Sequence, residues 1–224
     1  MPLAVAAVGD GLCPEEIAAA PAVRLFINCA RAVAPAFELD AVNAGIVAAI
    51  CRRLDGIPLA LELAAARMPV LSPRALLGRL DRRLPLLTEG PANLPERQRT
   101  LRATLAWSHD LPGPAEPALF RRLAAFGGGC TLEAAETICA GDALPATDVL
   151  NRLGSLVNAS LMQRTIGADG EPRFGMLETI REYASEQLAD SGEAEATRAR
   201  HCEWYVAWAE RASPELTRPD QINW

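Results

Sequence analysis

The side chains most suited to catalysis are few in this chain. His109 and His201 are its two histidines, and their separation is not that of a metal-binding pair. Ser108, His109 and Asp110 are consecutive, and because neighbouring residues on a helix point away from one another they cannot form a hydrolytic triad. The G-x-S-x-G motif of a serine nucleophile does not occur in the sequence. The sequence therefore predicts a protein that is not an enzyme.

Phosphate chemistry is restricted by the absence of lysine. All 22 basic residues of the 224-residue chain are arginines. A Walker A loop, G-x-x-x-x-G-K-[ST], needs its lysine ammonium group on the β- and γ-phosphates of ATP. We therefore expect that this chain alone binds no cofactor and cannot hold ATP through a P-loop.

The cysteines indicate a reducing compartment. None lies in a C-x-x-C pair, so their spacing favours neither a zinc site nor a disulfide framework, and we expect small core residues. The six are Cys13, Cys29, Cys51, Cys130, Cys139 and Cys202. The first residues lack the basic region of a signal peptide, and no run of about twenty apolar residues is available to span a bilayer. We expect a cytoplasmic protein without a membrane partner.

The charge is unevenly distributed along the chain. The net charge is −6, to which residues 1–50, 51–102 and 103–224 contribute −3, +5 and −8. An acidic chain is a poor partner for nucleic acid, because phosphate contacts need a surplus of basic side chains. A solvated face is the ordinary interpretation of the basic middle section, and an anionic ligand or an acidic neighbouring domain is the alternative.

Helix signals define a small bundle in the first half of the chain. Pro21 suits the first turn of one helix, and Asp40 is the expected N-cap of the next. Gly56 fits the position after that second helix, where a positive φ is favoured. Pro58 fits the first turn of a third helix that is apolar on almost every side, so this helix should lie inside the bundle. Ser72, followed by a proline, is expected to cap a fourth helix.

In the second half of the chain, the spacing of apolar residues changes from that of helices to that of strands. Helical spacing, with Thr131 as an N-cap, gives way to two short alternating strands, LMQRTI and PRFGML, around GADGE. Several helices followed by one hairpin is the order of a winged helix. The last helix places Trp204 and Trp208 four residues apart on one face. That face is interpreted either as the start of a helical-repeat array or as a surface that packs back on the winged helix.

Together these patterns predict a mainly α-helical chain. We expect an irregular N-terminal segment over residues 1–20 and a lid-type helical bundle over 21–84. A Pro-, Gly- and Asn-containing linker over 85–95 is predicted to precede a winged-helix domain over 96–190. Residues 191–224 are expected to begin a repeat region similar to tetratricopeptide (TPR) repeats.

Three segments carry a resemblance to a known family. CRRLDGIPLALELAAAR resembles the Gly-x-Pro motif of the NB-ARC class of STAND signal-transduction ATPases. LAWSHDLP followed by ALFRRLAAF resembles the start of their winged-helix domain, and FGMLETIREYA resembles the region of their Met-His-Asp motif. The chain is most similar to the large bacterial transcriptional regulators of the LuxR and SARP type. The resemblance implies that residues 21–84 correspond to the helical bundle called ARC1 in that family.

The resemblance also implies four nucleotide-proximal positions. The family's Gly-x-Pro lies beside the bound nucleotide, which assigns Gly56 and Pro58, and the Met-His-Asp region assigns Leu177 and Glu178. Met176 matches that motif, whereas Leu177 stands where the family often has a phosphate-contacting histidine and cannot donate a hydrogen bond. Glu178 is interpreted either as a partner for an arginine of the bundle or as a solvated carboxylate in a first helical turn.

Two functions are compatible with these features. In the first, the helical lid and winged helix close over ADP or ATP held by a P-loop ATPase core absent from this chain and supplied in cis upstream or in trans. A helical-repeat sensor region is then a second partner, and DNA is contacted only indirectly through another domain. The alternative is a winged-helix module that binds DNA or protein without nucleotide. Its recognition helix is PATDVLNRLGSLVNAS, with Asn151, Arg152 and Asn158 as its polar contact residues.

Overall fold

The computed structural model describes residues 2–6, 13–80, 87, 102–103, 105, 115–141 and 144–213. The chain divides into two compact units, Met1–Ser108 and His109–Trp224. Each unit is described by itself. The described residues form ten helices and one two-stranded antiparallel sheet, which confirms the mainly α-helical fold. None of these helices is long and apolar enough to cross a membrane.

Several sequence predictions fall outside the described residues. Only Leu87 of the expected linker over 85–95 is described, and only Leu105 of the LAWSHDLP segment. Ser108, His109 and Asp110 also lie outside them. The linker and the start of the winged-helix domain at residue 96 therefore stay predictions.

The first unit is a bundle of short helices, and four of the five described begin with proline. Its first-turn prolines include Pro21 and Pro58, as predicted, because the ring fixes φ and the missing N–H would have no intrahelical partner there. The third predicted helix is buried as expected, with Leu61 and Leu63 in the core, and it packs on the helix that begins at Pro21. The helices are α1 (Pro14–Ala19), α2 (Pro21–Val33), α3 (Ala44–Arg53), α4 (Pro58–Ala65) and α5 (Pro73–Arg79).

Two predictions about this unit are wrong. The segment over 1–20 is not wholly irregular, because α1 is a helix. Asp40 is not the N-cap of α3, whose N-cap is Asn43. The Asp40 carboxylate instead accepts the backbone N–H groups of Val42 and Asn43, each at 2.8 Å. These bonds close a turn, so the helix begins at Ala44 and not directly after the aspartate.

The second unit has the element order of a winged helix. The predicted cap holds, since the Thr131 hydroxyl oxygen accepts the N–H of Ala134 at 3.2 Å. Cys130 pairs with Phe174 through two backbone hydrogen bonds of 2.8 and 2.9 Å, which adds a one-residue bridge beside the hairpin. The elements are α6 (Ala115–Leu123), α7 (Leu132–Cys139), α8 (Ala146–Asn158), β1 (Gln163–Ile166), β2 (Pro172–Gly175), α9 (Glu178–Asp190) and α10 (Ala194–Ala212).

The last helix packs against α7, so of the two alternatives for its position the structure shows contact with the winged helix. Its Thr197 and Ala212 are buried. Three large apolar side chains of α10 are nevertheless exposed, and they are Tyr205, Val206 and Trp208. A repeat region beyond this helix stays a prediction.

The cysteines are partly as expected. Cys51, Cys130 and Cys139 are buried, whereas Cys13 and Cys202 are exposed, so the prediction of core residues is wrong for these two. Burial raises the pKa of the Cys51 and Cys130 thiols to about 12 because the thiolate would lose its hydration.

A cluster of charged side chains holds α6 to the turn before α10. Glu193 accepts hydrogen bonds from Arg121 at 2.8 and 3.0 Å and from Arg122 at 2.8 and 3.2 Å. Arg122, whose side chain is only 8% exposed, also donates to the carbonyl of Cys139 at 2.8 Å. We call these three charged residues the Glu193 clamp. The hydrogen bonds from Arg121, and then those from Arg122, lower the pKa of Glu193 to about 2.

We expect Glu193→Gln to lower the free energy of unfolding at pH 7 by about 2 kcal/mol, because Arg122 keeps its burial and loses its charged partner. The folded-state pKa of Glu193 lies below its ordinary value of 4.5, so this stabilisation is complete above about pH 5 and is lost as the pH falls towards 2. Urea unfolding followed by circular dichroism at several pH values measures it. Glu195→Gln, at an exposed carboxylate of the same helix, is the control. Equal midpoints for Glu193→Gln and wild type at pH 7 would contradict the assignment.

Candidate functional site

The Gly56 turn has two residues in the left-handed region. Asp55 has φ of 55° and Gly56 has φ of 64°, which confirms the positive φ predicted for Gly56. The N–H of Gly56 donates to Cys51 at 3.1 Å, and that of Asp55 donates to Arg52 at 3.0 Å. This pattern is a Schellman motif, which satisfies the last carbonyl groups of α3. Sequence reasoning missed Asp55, although aspartate is one of the few side chains that tolerates this conformation.

The open side of Gly56 is covered by the chain itself. The N–H of Leu3 donates to the Gly56 carbonyl at 2.8 Å, and the Ala4 carbonyl accepts the N–H of Ala22 at 3.1 Å. A Cβ atom at position 56 would lie 2.2 Å from the Leu3 carbonyl oxygen. Glycine is therefore required here by the approach of residues 2–6, which we call the N-terminal strap. The group that approaches Gly56 here is the backbone of this chain.

Pro58 lies next to that turn and is half-buried at the first position of α4. Its φ and its missing N–H account for the abrupt start of the helix. Gly56 and Pro58 are thus brought together in the first unit. Their contact with a nucleotide stays a prediction.

Leu177 and Glu178 are brought together in the second unit, at the start of α9. Leu177 occupies the N-cap position without capping through its side chain, and Glu178 is the first helical residue. Glu178 pairs with Arg181 of the same helix, with an Nε to Oε2 distance of 2.7 Å, and this hydrogen bond raises the pKa of Arg181. Arg181 also donates to the Ala124 carbonyl at 3.4 Å. The motif position therefore joins α9 to the end of α6.

The helix that would read DNA is α8, and its arginine is already engaged. Arg152, the one basic residue of α8, forms an ion pair with Glu116 of α6. Glu116 is 9% exposed, and its second carboxylate oxygen and the Arg152 Nε are buried without a hydrogen-bond partner among the described residues. The expectation that Arg152 reaches outward from this helix is wrong. The reason is the buried carboxylate on α6, which no local pattern in α8 reveals.

The charged residues of α8 are both half-buried, and they are Asp148 and Arg152. Asn151 and Asn158 are exposed as predicted, and Leu150 is 52% exposed. Val149, Leu153 and Leu156, by contrast, are buried against the domain core. The one positive charge that α8 presents is therefore Arg152, which is partly buried and paired with Glu116.

The hairpin carries two exposed arginines, Arg164 and Arg173. All four residues of β1 are exposed, including Arg164 and Ile166. Arg173 of β2 pairs with Asp169 at 3.5 Å, with both side chains about half exposed. Such an exposed pair contributes little to stability, and the carboxylate of Asp169 offsets the positive charge of Arg173.

Comparisons with known proteins agree with this architecture. Residues 113–189 match the family model of the winged helix-turn-helix domain. A Mycobacterium tuberculosis protein named as an HTH-type transcriptional regulator is 46% identical over 188 residues, which are 84% of this chain and 21% of that protein. A Mycobacterium bovis protein of the same name gives the same values. An uncharacterised Mycobacterium tuberculosis protein is 40% identical over 183 residues, 80% of this chain and 46% of that protein.

The chain spans about a fifth of the length of the first two relatives and about half of the third. No solved structure matches the chain. The second unit therefore contains a winged helix-turn-helix domain, and the relatives named as regulators are much longer proteins.

Gly56→Ala tests the contact between the turn and the N-terminal strap. We expect a loss of about 1–3 kcal/mol in the free energy of unfolding, because alanine at positive φ is strained and its Cβ would displace Leu3. Hydrogen exchange at the Leu3 amide should accelerate, since its acceptor is the Gly56 carbonyl.

Gly45→Ala is the matched control for this substitution. Gly45 lies in α3 with nothing within 4 Å of the position that a Cβ atom would take, so alanine should leave stability unchanged or raise it by about 0.5–1 kcal/mol. Unchanged stability and unchanged Leu3 exchange in Gly56→Ala would show that the strap does not dock on the turn in solution.

Proposed function

We propose that the chain is the regulatory part of a nucleotide-dependent switch in a transcriptional regulator. The first unit acts as the helical lid, and the winged helix acts through protein contacts. Together they close over ADP or ATP that is held by a P-loop ATPase core. The core is supplied by another part of a longer protein or by a separate protein.

The observation that carries the proposal is the ion pair between Arg152 and Glu116. A winged helix that binds DNA neutralises phosphates with arginine or lysine on and around its recognition helix. Here the one arginine of α8 is paired with Glu116, and its side chain is only 28% exposed. The section of the chain that holds this domain carries a charge of −8. A surface with this charge and with Leu150 exposed suits a protein neighbour better than a nucleic acid.

The nucleotide part of the proposal is supported by the resemblance at two motifs. The Gly56 turn connects α3 to α4, and because its glycine has no side chain it already admits the close approach of the strap backbone. The start of α9 at Glu178 links two helices of the winged helix through Arg181. A change at either place would alter the packing of a whole helix, which is what a two-state switch requires.

The remaining functions are assigned to partners. We assign a DNA-contacting output domain to another part of a longer protein, and the length of the relatives named as regulators leaves room for one. Tyr205 and Trp208 are exposed and lie three residues apart on α10, so they offer an apolar patch that suits a following helix of a repeat region, which would act as the sensor.

DNA binding by the chain alone tests the role given to the winged helix. We expect no change in the fluorescence anisotropy of a labelled duplex at low salt, where phosphate contacts are strongest. Glu116→Gln, which removes the charged partner of Arg152, serves as a comparison. We expect any DNA binding by this variant to exceed that of the wild type. Salt-dependent binding of wild type with a dissociation constant at or below about 1 μM would contradict the proposal.

Nucleotide affinity tests the lid. The core to use is the P-loop protein encoded in frame upstream of the Met1 codon or by a neighbouring gene, prepared with and without this chain. We expect the chain to tighten binding of a fluorescent ADP analogue by about tenfold, or about 1.4 kcal/mol. Pro58→Ala should remove most of that gain, whereas Pro73→Ala, at the same first-turn position of α5, should not. Equal affinity with and without the chain would refute the switch.

A further inference from the structure

A groove lies on the first unit beside α1, α2 and the loop that follows α2. It has a volume of about 370 Å³, which is within the range of small-ligand sites. Its apolar lining includes Ala18 of α1, Ile27 of α2 and Leu39 of the loop. Ile27 is buried and continuous with the bundle core, so the floor is held by packing.

Three polar side chains of α2 form one rim of this groove. Arg24, Asn28 and Arg31 are spaced four and three residues apart, so they lie along one face of the helix. Arg31 donates through its Nε to the Phe37 carbonyl at 3.4 Å, which restrains its guanidinium group against the loop. The rim therefore offers two guanidinium groups and one amide to the same space.

The two arginines have no carboxylate partner among the described residues. No acidic residue lies three or four positions from either arginine on α2, in contrast to the pair formed by Glu178 and Arg181. A bound anion would supply the carboxylate or other negative partner that these two guanidinium groups lack within the described residues. Several arginines of the second unit, by contrast, pair with a carboxylate, among them Arg121, Arg122, Arg152 and Arg181.

Glu15 is the one acidic residue that lines the groove. Hydrogen bonds from its own backbone N–H and from the Cys13 thiol lower its pKa, so it stays ionised at neutral pH. An anionic ligand must therefore place its charge beside the arginines of α2 and away from Glu15. The groove is thus asymmetric, with a preferred end for the negative group.

We propose that this groove binds a small organic carboxylate with an apolar body. A carboxylate accepts two parallel hydrogen bonds from one guanidinium group, and the amide of Asn28 can donate a third. The apolar body then covers Ile27 and Leu39. The site lies entirely within the first unit and contains neither Gly56 nor Pro58, so it is independent of the nucleotide proposal.

The probe for this site is 4-phenylbutyrate, with the uncharged 4-phenylbutanamide as its matched control. Titration of the full chain is followed by calorimetry and by amide chemical shifts. We expect saturable binding of the carboxylate in the millimolar range or tighter, with shifts at α2, and at least about tenfold weaker binding of the amide.

Arg31→Gln should weaken binding of 4-phenylbutyrate by about tenfold or more, because one charge-assisted contact is lost. Arg74→Gln, at an exposed arginine of α5, should leave binding unchanged. Both positions are exposed, and circular dichroism verifies that the variants are folded. Absence of saturable binding, equal binding of acid and amide, or equal loss in the two variants would each overturn the proposal.

Discussion

Mutual burial of short helices is the constraint on which both units depend. All described helices except α10 have between six and thirteen residues, and helices of that length are marginal in water on their own. Each persists because an apolar face is covered by a neighbour, as when α4 packs on α2. The ends of the helices then need their own partners, since short helices have a high share of unsatisfied terminal groups. Prolines at first turns and the hydroxyl caps of Ser72 and Thr131 meet that need locally.

In the winged helix, the ion pairs of the buried and half-buried arginines mainly connect one helix or turn to another. The Glu193 clamp joins α6 to the turn before α10, and Arg122 also reaches the end of α7. Glu116 joins α6 to α8 through Arg152. These pairs consume arginines that a DNA-binding domain would leave on its surface. The same interactions that hold the domain together leave fewer arginines for phosphate contacts, which supports the proposed role in protein contacts.

Sequence reasoning succeeded where the physical cause is local. The positive φ of Gly56 and the helix starts at Pro21 and Pro58 depend on one residue and its immediate neighbours, and they are confirmed. Asp40 failed because a carboxylate closes a turn as readily as it caps a helix, and both choices look alike in sequence. The pairing of Arg122 with Glu193 joins residues 71 positions apart and depends on the tertiary fold. The local conformations at Gly56 and Pro58 were therefore predictable, while the partner of Arg152 and the cover over Gly56 required coordinates.

The N-terminal strap has a mechanical consequence. Its backbone is held on both sides, by Gly56 through Leu3 and by the start of α2 through Ala4. Hydrogen bonds on opposite sides of an extended segment are loaded together in shear when the segment is pulled along its length. A pulling force on residues 2–6 would therefore act on the α3–α4 turn and on the first turn of α2 at the same time. Any domain joined ahead of the strap would have a tether through which its own displacement strains the helical bundle.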